Sequence, residues 1–431
     1  MLYDNLAVNE QGHLTVGGLD TVALAEEFGA PLYVLDEDKL RENCRTYVQA
    51  LRENMPEGSY PLFAGKALCF KGLYPVLNEE GMGADVVSPG EIYTALAGGF
   101  PAEKLYFHGN NKTDEDIAYA LDSHVGCFIV DNHQELARLD ETAGVRGIRQ
   151  RVLLRVTPGI DPHTLQAINT GRIDCQFGVP IETGQAARFV ADALSRKNLI
   201  VEGFHSHIGS QIFEAEPFCD AVDILLDFAQ AMRQAHGFVA ETLNLGGGFG
   251  VRYLESDPVV DIPENIRALA QHLRQGCAAK DYPVPKVLLE PGRSIVANAG
   301  LTLYRVGGIK TIEGYRSYVT VNGGMTDNPR YALYKAPYTV VPASRMNDAR
   351  EVTCTVAGRC CESGDLIQEN IQLPEMQRDD LLAVLTTGAY NFTMASNYNR
   401  LCRPALVMVR NGKARLAVRR QTFADLVACD L

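Results

Sequence analysis

The sequence has no excess of positive charge and no long apolar segment. Its 431 residues include 40 Lys and Arg against 53 Asp and Glu, which gives a formal net charge of −13. Nucleic acids and anionic membranes need a basic face, so neither is expected as the main partner. No apolar run approaches the roughly 20 residues of a membrane helix. The opening MLYDNLAVNEQGH also lacks the basic-then-apolar order of a signal peptide.

Cysteine spacing disfavours two further classes of protein. The eleven cysteines are an odd number, scattered from Cys44 to Cys429, and no two have CxxC spacing. Neither a disulfide framework nor a zinc ribbon fits this pattern. The sequence therefore predicts a protein of a reducing compartment, with a cytoplasmic location.

Length and composition favour a folded chain of several domains. Hydrophobic residues make up 46% of the sequence and charged residues 22%, so global disorder is excluded. At roughly 100–200 residues per domain, we expect two or three domains, one of which could be a large barrel.

Short β-branched and aromatic runs recur from residue 61, each followed by a helix-like segment. Eight such units favour a (β/α)8 TIM-type barrel, which typically takes about 250 residues, over an open doubly wound sheet. The predicted strands are Pro61–Ala64, Ala84–Val87, Lys104–Phe107, Cys127–Val130, Val152–Val156, Val201–Phe204, Thr242–Leu245 and Lys286–Leu289.

After residue 300 strand-like runs follow one another with little helix between them, which predicts a β-rich domain of the sandwich or barrel type over 300–431. Arg410 to Lys413 separate two of these runs and predict a hairpin with a tight primed turn. The first ~35 residues include HLTVGG, which is also strand-like, and we expect these residues to pair with this domain.

Reactive side chains follow the predicted barrel strands, where the chemistry of such barrels resides. Lys66 follows the first strand, His207 and Ser210 the sixth, the glycines of LNLGGGFG the seventh, and Glu290 the eighth. A lysine desolvated in a pocket can form a Schiff base. Successive glycines allow backbone N–H groups to approach a phosphate, although they also serve tight turns.

Together these parts match the needs of pyridoxal 5′-phosphate: an imine partner, a phosphate cradle, a partner for the pyridine nitrogen and a flat face for the ring. The His-x-His pair of His205 and His207 invites a metal interpretation as well. No third ligand with suitable spacing is evident, so the sequence predicts no metal.

In this order, the motifs resemble those of the meso-diaminopimelate decarboxylases, in the alanine-racemase-like group of pyridoxal-phosphate enzymes that also contains ornithine and arginine decarboxylases. The resemblance runs from about residue 30 to the C-terminus. The motifs that carry it are FAGKALCF, GADVVSPGE, GFHSHIGSQI, LNLGGGFG, LLEPGRSIVANAG, VNGGMTDNPRYALY, CESGD and GAYNFTMASNYNRLCRPA.

The resemblance implies a cofactor-binding barrel over 36–299. It also implies a β-rich domain, made of 1–35 with 300–431, that completes the active site and the dimer interface. Lys66 resembles the lysine that holds the cofactor covalently, and His207 the residue stacked on its ring. The residues implied to contact pyridoxal phosphate are Lys66, His207, Ser210, Gly248, Glu290, Gly292, Arg293 and Tyr390.

Other residues are implied to serve the substrate. Arg293, Arg330 and Tyr334 resemble a clamp on its non-reacting end, with Tyr390 beside them. Cys361 and Glu362, in CESGD, resemble residues donated by the partner subunit of a homodimer. Cys361 would protonate the product carbon and Glu362 would hold the distal ammonium group. Cys360 precedes Cys361, so this choice rests on alignment with the following Glu-Ser-Gly-Asp.

The implied reaction is decarboxylation of meso-2,6-diaminopimelate to L-lysine and CO2, the last step of lysine biosynthesis. Two arginines suit a distal carboxylate, which the substrate of a simple diamine-forming decarboxylase lacks. A related decarboxylase of another basic amino acid or of carboxynorspermidine, a racemase, and a non-catalytic pyridoxal-phosphate carrier are the alternatives. FAGKAL also departs from the family pattern, which often has Asn after the lysine.

Overall fold

The computed structural model describes residues 1–160 and 174–431, and it divides the chain into two compact units. The β-rich unit contains Met1–Asn43, Val251–Pro258 and Arg293–Leu431, whereas the barrel unit contains Cys44–Gly250 and Val259–Gly292. Within these described residues no helix is both long and apolar enough to cross a membrane.

The N-terminal part of the β-rich unit begins with three short antiparallel strands that form a sheet of their own. The elements of this part, including the helix that ends beyond it, are β1 (Leu6–Val8), β2 (Leu14–Val16), β3 (Leu19–Asp20), α1 (Thr21–Phe28), β4 (Leu32–Asp36) and α2 (Glu37–Asn54). Among the described residues β2 pairs with β1 and β3. The expected pairing of the N-terminal segment with C-terminal strands is confirmed, and β4 makes it.

The strands of the barrel unit are β5 (Tyr60–Ala64), β6 (Gly83–Val86), β7 (Leu105–Phe107), β8 (Cys127–Val130), β9 (Gln150–Thr157), β10 (Val179–Pro180), β11 (Leu199–His205), β12 (Thr242–Asn244) and β13 (Lys286–Leu289). All pair in parallel. Because β9 pairs with β8 and β13 pairs with β5, eight of them close into a barrel, and β10 adds to the end of β9. The predicted TIM-type barrel is confirmed.

Helices connect these strands, as the sequence indicated. They are α3 (Tyr74–Glu79), α4 (Pro89–Ala97), α5 (Asp114–Asp122), α6 (His133–Val145), α7 (Gln185–Ser195), α8 (Glu216–His236) and α9 (Ile262–Ala279). The start of α5 shows why the local sequence folds this way. The Thr113 hydroxyl accepts from the Asp116 backbone N–H, and the Asp116 carboxylate accepts from that of Thr113, which satisfies two N–H groups at the helix start.

The C-terminal part of the β-rich unit comprises α10 (Arg293–Val296), β14 (Gly300–Ile312), β15 (Arg316–Val321), α11 (Arg330–Tyr334), β16 (Val340–Val341), β17 (Val352–Ala357), β18 (Leu366–Leu373), β19 (Leu381–Leu385), β20 (Ala405–Arg410), β21 (Lys413–Val418) and α12 (Phe423–Leu426). The long sheet runs β18-β17-β15-β14-β4-β20-β21, and β19 pairs with β14. The predicted β-rich region is confirmed.

Two details of that sheet are informative. Arg410 pairs with Lys413 across the predicted hairpin, and Asn411 and Gly412 have φ of 50° and 67°, as a primed turn requires. The strand β4, from the first tenth of the chain, lies between β14 and β20. The N-terminus therefore belongs to the same unit as the C-terminal strands.

Candidate active site

The predicted cofactor residues of the barrel unit all follow the carboxyl ends of strands. Lys66 lies in a short 3-10 helix, Gly65–Ala67, directly after β5. His207 and Ser210 follow β11, Gly248 follows β12, and Glu290 and Gly292 follow β13. Lys66 is exposed, so the desolvated amine expected from the sequence is not seen.

Polar side chains surround the carboxylate of Glu290. Its Oε1 accepts from the Asn244 side-chain amide at 2.7 Å and lies 2.8 Å from His108 Nε2. Its Oε2 lies 3.2 Å from His205 Nε2. Burial alone would raise the pKa of Glu290, but His108 and His205 hold that pKa well below its usual range. Glu290 is therefore a buried carboxylate kept ionised.

Burial favours the neutral form of His205, which ends β11, and of His207, which follows it. Burial lowers the pKa of His205 to about 4 and that of His207 well below its usual value. His205 uses Nε2 toward Glu290, and its Nδ1 has no hydrogen-bond partner among the described residues. A neutral imidazole offers a flat face to an aromatic ring without adding a positive charge beside it.

Two further acids, Asp85 and Glu91, lie in β6 and in the helix that follows it, α4. Asp85, in β6, is buried, and burial raises its pKa to about 6; its Oδ1 has no hydrogen-bond partner within the described chain. His108 Nε2 lies 3.8 Å from that oxygen. Glu91, in α4, accepts from the Val87 backbone N–H at 2.8 Å, and burial raises its pKa to about 7.

The glycines after β12 have no room for side chains. A Cβ on Gly246 would lie 2.7 Å from the Ser206 carbonyl oxygen, and Gly246 has a φ of 69°. A Cβ on Gly247 would lie 2.1 Å from the Glu290 carbonyl oxygen, and one on Gly248, at φ 139°, would lie 2.7 Å from that of Gly209. The loop therefore requires glycine at three successive positions, and it keeps its backbone bare toward a ligand.

The buried groups of the barrel end fit pyridoxal phosphate. Glu290 offers an ionised carboxylate to a ring nitrogen, Lys66 an exposed amine, and the glycine loop backbone N–H groups to a phosphate. Ligand atoms of His108, His205 and Glu290 lie within 4.8 Å of one another, and this set does not include His207, the other member of the His-x-His pair. Such a set could hold a metal ion as well.

The β-rich unit buries two arginines side by side. Arg293 Nη1 donates to the Tyr253 hydroxyl at 2.7 Å, and Arg330 Nη1 donates to the same hydroxyl at 3.1 Å. Arg330 also donates to the Tyr338 hydroxyl at 2.7 Å. The described part of the chain places no carboxylate within salt-bridge distance of Arg330. The two buried guanidinium groups thus share one phenol oxygen, and Arg330 donates to a second one.

Tyr390 belongs to the same cluster, whereas Tyr334 is exposed. The Tyr390 ring centroid lies 4.8 Å from the Arg293 guanidinium carbon and 5.9 Å from that of Arg330. Tyr390 has a φ of 63°, a left-handed conformation that is strained for a bulky residue. Tyr334 ends α11 and is 44% exposed.

Cys361 and Glu362 lie on an exposed loop between β17 and β18. Asp365 anchors this loop, because its carboxylate accepts from the backbone N–H groups of Met325 at 2.6 Å and Cys360 at 2.7 Å. Burial raises the pKa of the Cys360 thiol to about 11, while the neighbouring Cys361 is exposed. Of the two cysteines, Cys361 is the one accessible to a ligand.

Five contributors to these clusters were not among the predicted site residues: His108, His205, Asn244, Tyr253 and Tyr338. His108 follows β7, so the rule that located Lys66 and Glu290 would have found it in LYFHGNN. Asn244 ends β12, so the same rule marks it. No local signal marks Tyr253 and Tyr338, because their partners Arg293 and Arg330 are recognised only in the folded chain.

Comparisons with known proteins identify the family. The model of the family described as "Pyridoxal-dependent decarboxylase, pyridoxal binding domain" matches residues 37–297. A diaminopimelate decarboxylase of Bacillus subtilis is 43% identical over 98% of this chain and 96% of its own length. One of Staphylococcus aureus is 39% identical over 98% of both chains.

Solved structures agree. The crystal structure of diaminopimelate decarboxylase from M. jannaschii in co-complex with L-lysine has a TM-score of 0.93 and 33% sequence identity, over 99% of this chain and 98% of that one. The Helicobacter pylori enzyme complexed with L-lysine has a TM-score of 0.86 and 29% identity, over 95% and 98%. The chain belongs to the diaminopimelate decarboxylase family of pyridoxal-dependent decarboxylases.

Proposed function

We propose that this chain is a carboxy-lyase that converts meso-2,6-diaminopimelate to L-lysine and CO2, with pyridoxal 5′-phosphate as its cofactor. The observation that carries the proposal is the 43% identity to a diaminopimelate decarboxylase along 98% of the chain. The separate clusters of Glu290 and of the two arginines supply groups of the charge that such a reaction needs.

Bound pyridoxal phosphate supplies an electron sink for the negative charge left on the substrate's α-carbon when CO2 departs. The protein's own groups then have defined tasks. Lys66 would hold the cofactor through its Nζ, and Glu290 would keep a proton on the ring nitrogen. The neutral imidazole of His207 would hold the ring flat, while Gly248, Ser210 and Gly292 would contact the phosphate side.

Substrate recognition is assigned to the second cluster and to the exposed loop. Arg293 and Arg330 would bind the distal carboxylate by charge-assisted hydrogen bonds, with Tyr334 and Tyr390 beside them. Glu362 would attract the distal ammonium group. Cys361 would deliver a proton from Sγ to the α-carbon after CO2 has left. Orientation of the scissile bond perpendicular to the cofactor ring is the main contribution of this binding.

We also propose a homodimer in which Cys361 and Glu362 serve the partner's site, and a cytoplasmic location. In this proposal residues 36–299 bind the cofactor, and 1–35 with 300–431 complete the site and the dimer interface. Support comes from the exposure of Cys361 and Glu362 and from the eleven cysteines, no two of which have CxxC spacing.

Subunit complementation tests the shared site. Chains carrying Lys66→Ala and Cys361→Ala, each nearly inactive alone, are mixed under conditions of demonstrated subunit exchange. About half of the chains then lie in heterodimers, each with one intact site, so activity should approach about one quarter of wild type. Mixing Lys66→Ala with Glu290→Gln is the matched control, because no intact site can form from two lesions in the barrel. No recovery in the first mixture would place Cys361 in its own subunit's site.

The activity itself is tested on purified enzyme with separate diaminopimelate stereoisomers. We expect CO2 and L-lysine from the meso isomer, together with a shift of the visible absorption of the bound cofactor. Ornithine, L-lysine, L-arginine and carboxynorspermidine serve as competing substrates. Preferential turnover of one of these would assign the enzyme a related substrate specificity. Racemisation without release of CO2 would contradict the proposed decarboxylase activity.

A further inference from the structure

The hydroxyl of Tyr253 joins the two buried arginines through hydrogen bonds. It accepts from Arg293 Nη1 at 2.7 Å and from Arg330 Nη1 at 3.1 Å. Tyr253 is itself buried and anchored on both sides. Its backbone N–H donates to the Asp257 carboxylate at 2.8 Å, and its carbonyl accepts from the Thr339 hydroxyl at 2.7 Å.

Two guanidinium groups repel each other, so a shared acceptor is needed to keep them adjacent in a buried place. Burial alone would raise the pKa of the Tyr253 hydroxyl, but Arg293 and Arg330 lower it below its usual value. The oxygen is therefore polarised toward the two cations. Both of its acceptor positions are used, and in the described chain no acceptor meets its own proton.

A carboxylate in the same place would be a stronger acceptor, but it would neutralise the guanidinium groups. A phenol oxygen can hold both guanidinium groups without bringing a full negative charge to them. The Tyr338 hydroxyl accepts from Arg330 at 2.7 Å. The Tyr253 hydroxyl accepts from both arginines, and the Tyr390 ring faces both of them.

We propose that Tyr253 is a specificity-determining positioning residue, which sets the distance and orientation of Arg293 and Arg330 for the carboxylate of an α-amino acid end of the ligand. This inference rests on the proposed function for the identity of the substrate. It assigns the selection of a carboxylate-bearing ligand over a plain diamine to a tyrosine that contacts the arginines.

The experiment uses the holoenzyme with Tyr253→Phe, which removes one oxygen and keeps the ring. The measurements are KM and kcat for meso-diaminopimelate, the dissociation constant of pyridoxal phosphate, and the inhibition constants of L-lysine and cadaverine. Cadaverine is L-lysine without its carboxylate, so it probes the same site without the group that the arginines would bind. Tyr282→Phe is the matched control, since its buried hydroxyl accepts from the Ala240 backbone N–H at 2.7 Å, away from the arginines.

We expect Tyr253→Phe to raise KM and the L-lysine inhibition constant about tenfold, because hydrogen bonds to charged groups are lost. The kcat, the affinity for pyridoxal phosphate and the cadaverine constant should change less than about twofold. Tyr338→Phe should act in the same direction and more weakly, and it replaces the first variant if that one does not fold. Tyr282→Phe should leave activity unchanged.

An equal loss for L-lysine and cadaverine, or weaker cofactor binding with an unchanged KM, would overturn the inference. Its failure is separable from failure of the proposed function. If the wild-type enzyme does not decarboxylate diaminopimelate, the proposed function fails, while the comparison of L-lysine with cadaverine still decides the role of Tyr253. If the wild-type enzyme binds L-lysine and cadaverine equally well, the inference about Tyr253 is overturned.

Discussion

Each unit of this chain buries one charged cluster of the candidate site, and the two clusters have opposite sign. In the barrel unit, the Asn244 amide donates to the carboxylate of Glu290, and Nε2 of His108 and of His205 lie 2.8 and 3.2 Å from its oxygens. In the β-rich unit, the hydroxyls of Tyr253 and Tyr338 accept from the buried guanidinium groups. Arg330 meets no carboxylate among the described residues.

The comparison shows how a protein can keep a buried charge available. A salt bridge would satisfy the charge and cancel it, whereas neutral or weakly acidic partners satisfy its hydrogen bonds and leave its net charge for a ligand. The barrel thus offers negative charge to a protonated ring nitrogen, and the β-rich unit offers positive charge to a carboxylate. Each of the following predictions tests one side of this division.

The largest effect should come from Lys66→Ala, which tests whether the barrel holds the cofactor. Loss of the amine removes the covalent link, so we expect turnover to fall about a thousandfold or more. Mass spectrometry after borohydride reduction should find no cofactor linked to the variant. Lys71→Ala, a nearby exposed lysine, should keep the link and the activity. A cofactor still linked to the Lys66→Ala variant would show that Lys66 is not the residue that holds it covalently.

Glu290→Gln should have the next largest effect, because it neutralises the negative charge of the barrel cluster while keeping its shape. An amide cannot keep the ring nitrogen protonated, so kcat should fall about a hundredfold with a smaller change in KM. The cofactor should remain covalently linked. Glu202→Gln is the control, since Glu202 pairs with Arg151 at 2.6 Å instead. An unchanged kcat would make Glu290 a structural partner of the histidines only.

Arg330→Met tests the opposite side of the comparison. Removing one of the two buried cations should raise KM for diaminopimelate about thirtyfold, through loss of a charge-assisted contact, and leave the absorption of the bound cofactor as in the wild type. Arg345→Met removes a guanidinium that pairs with Asp348 at 2.7 Å on the surface, and it should be neutral for KM. Loss of the cofactor in the Arg330 variant would show that the arginine cluster binds phosphate, which would break the division.

The sequence sufficed for the barrel because each strand is a local apolar run with a helix start after it. It also located Lys66 and Glu290, since the barrel rule places reactive groups at strand ends. Lys66 proved exposed because the short 3-10 helix carries it beyond the buried end of β5. The strand pattern thus predicted where Lys66 lies, but it did not predict how exposed the Lys66 side chain is.

The arginine cluster could not be predicted in the same way. Tyr253 lies 40 residues from Arg293 and 77 from Arg330 along the chain, and no periodic pattern links them. The pairing of β4 with β14 and β20 is equally non-local. Local propensity and patterning specify elements, whereas contacts between distant side chains depend on how the folded sheet brings them together.

The smallest effect, on stability, should come from Glu91→Gln, because Glu91 is a half-buried acid of the barrel that accepts from one backbone N–H, that of Val87. Burial raises its pKa from 4.5 to about 7. An acid whose folded-state pKa is raised favours folding most below its unfolded pKa, and that contribution is lost as pH rises through the folded pKa. Between about pH 4.5 and 7 the wild type should lose about 2 kcal/mol of unfolding free energy that the variant keeps.

Urea unfolding at several pH values measures this difference, with the exposed Glu115→Gln as control. If the unfolding free energies of wild type and Glu91→Gln change in parallel with pH, other groups offset the cost of ionising Glu91. The contrast with Glu290 then does not extend to the other acids of the barrel.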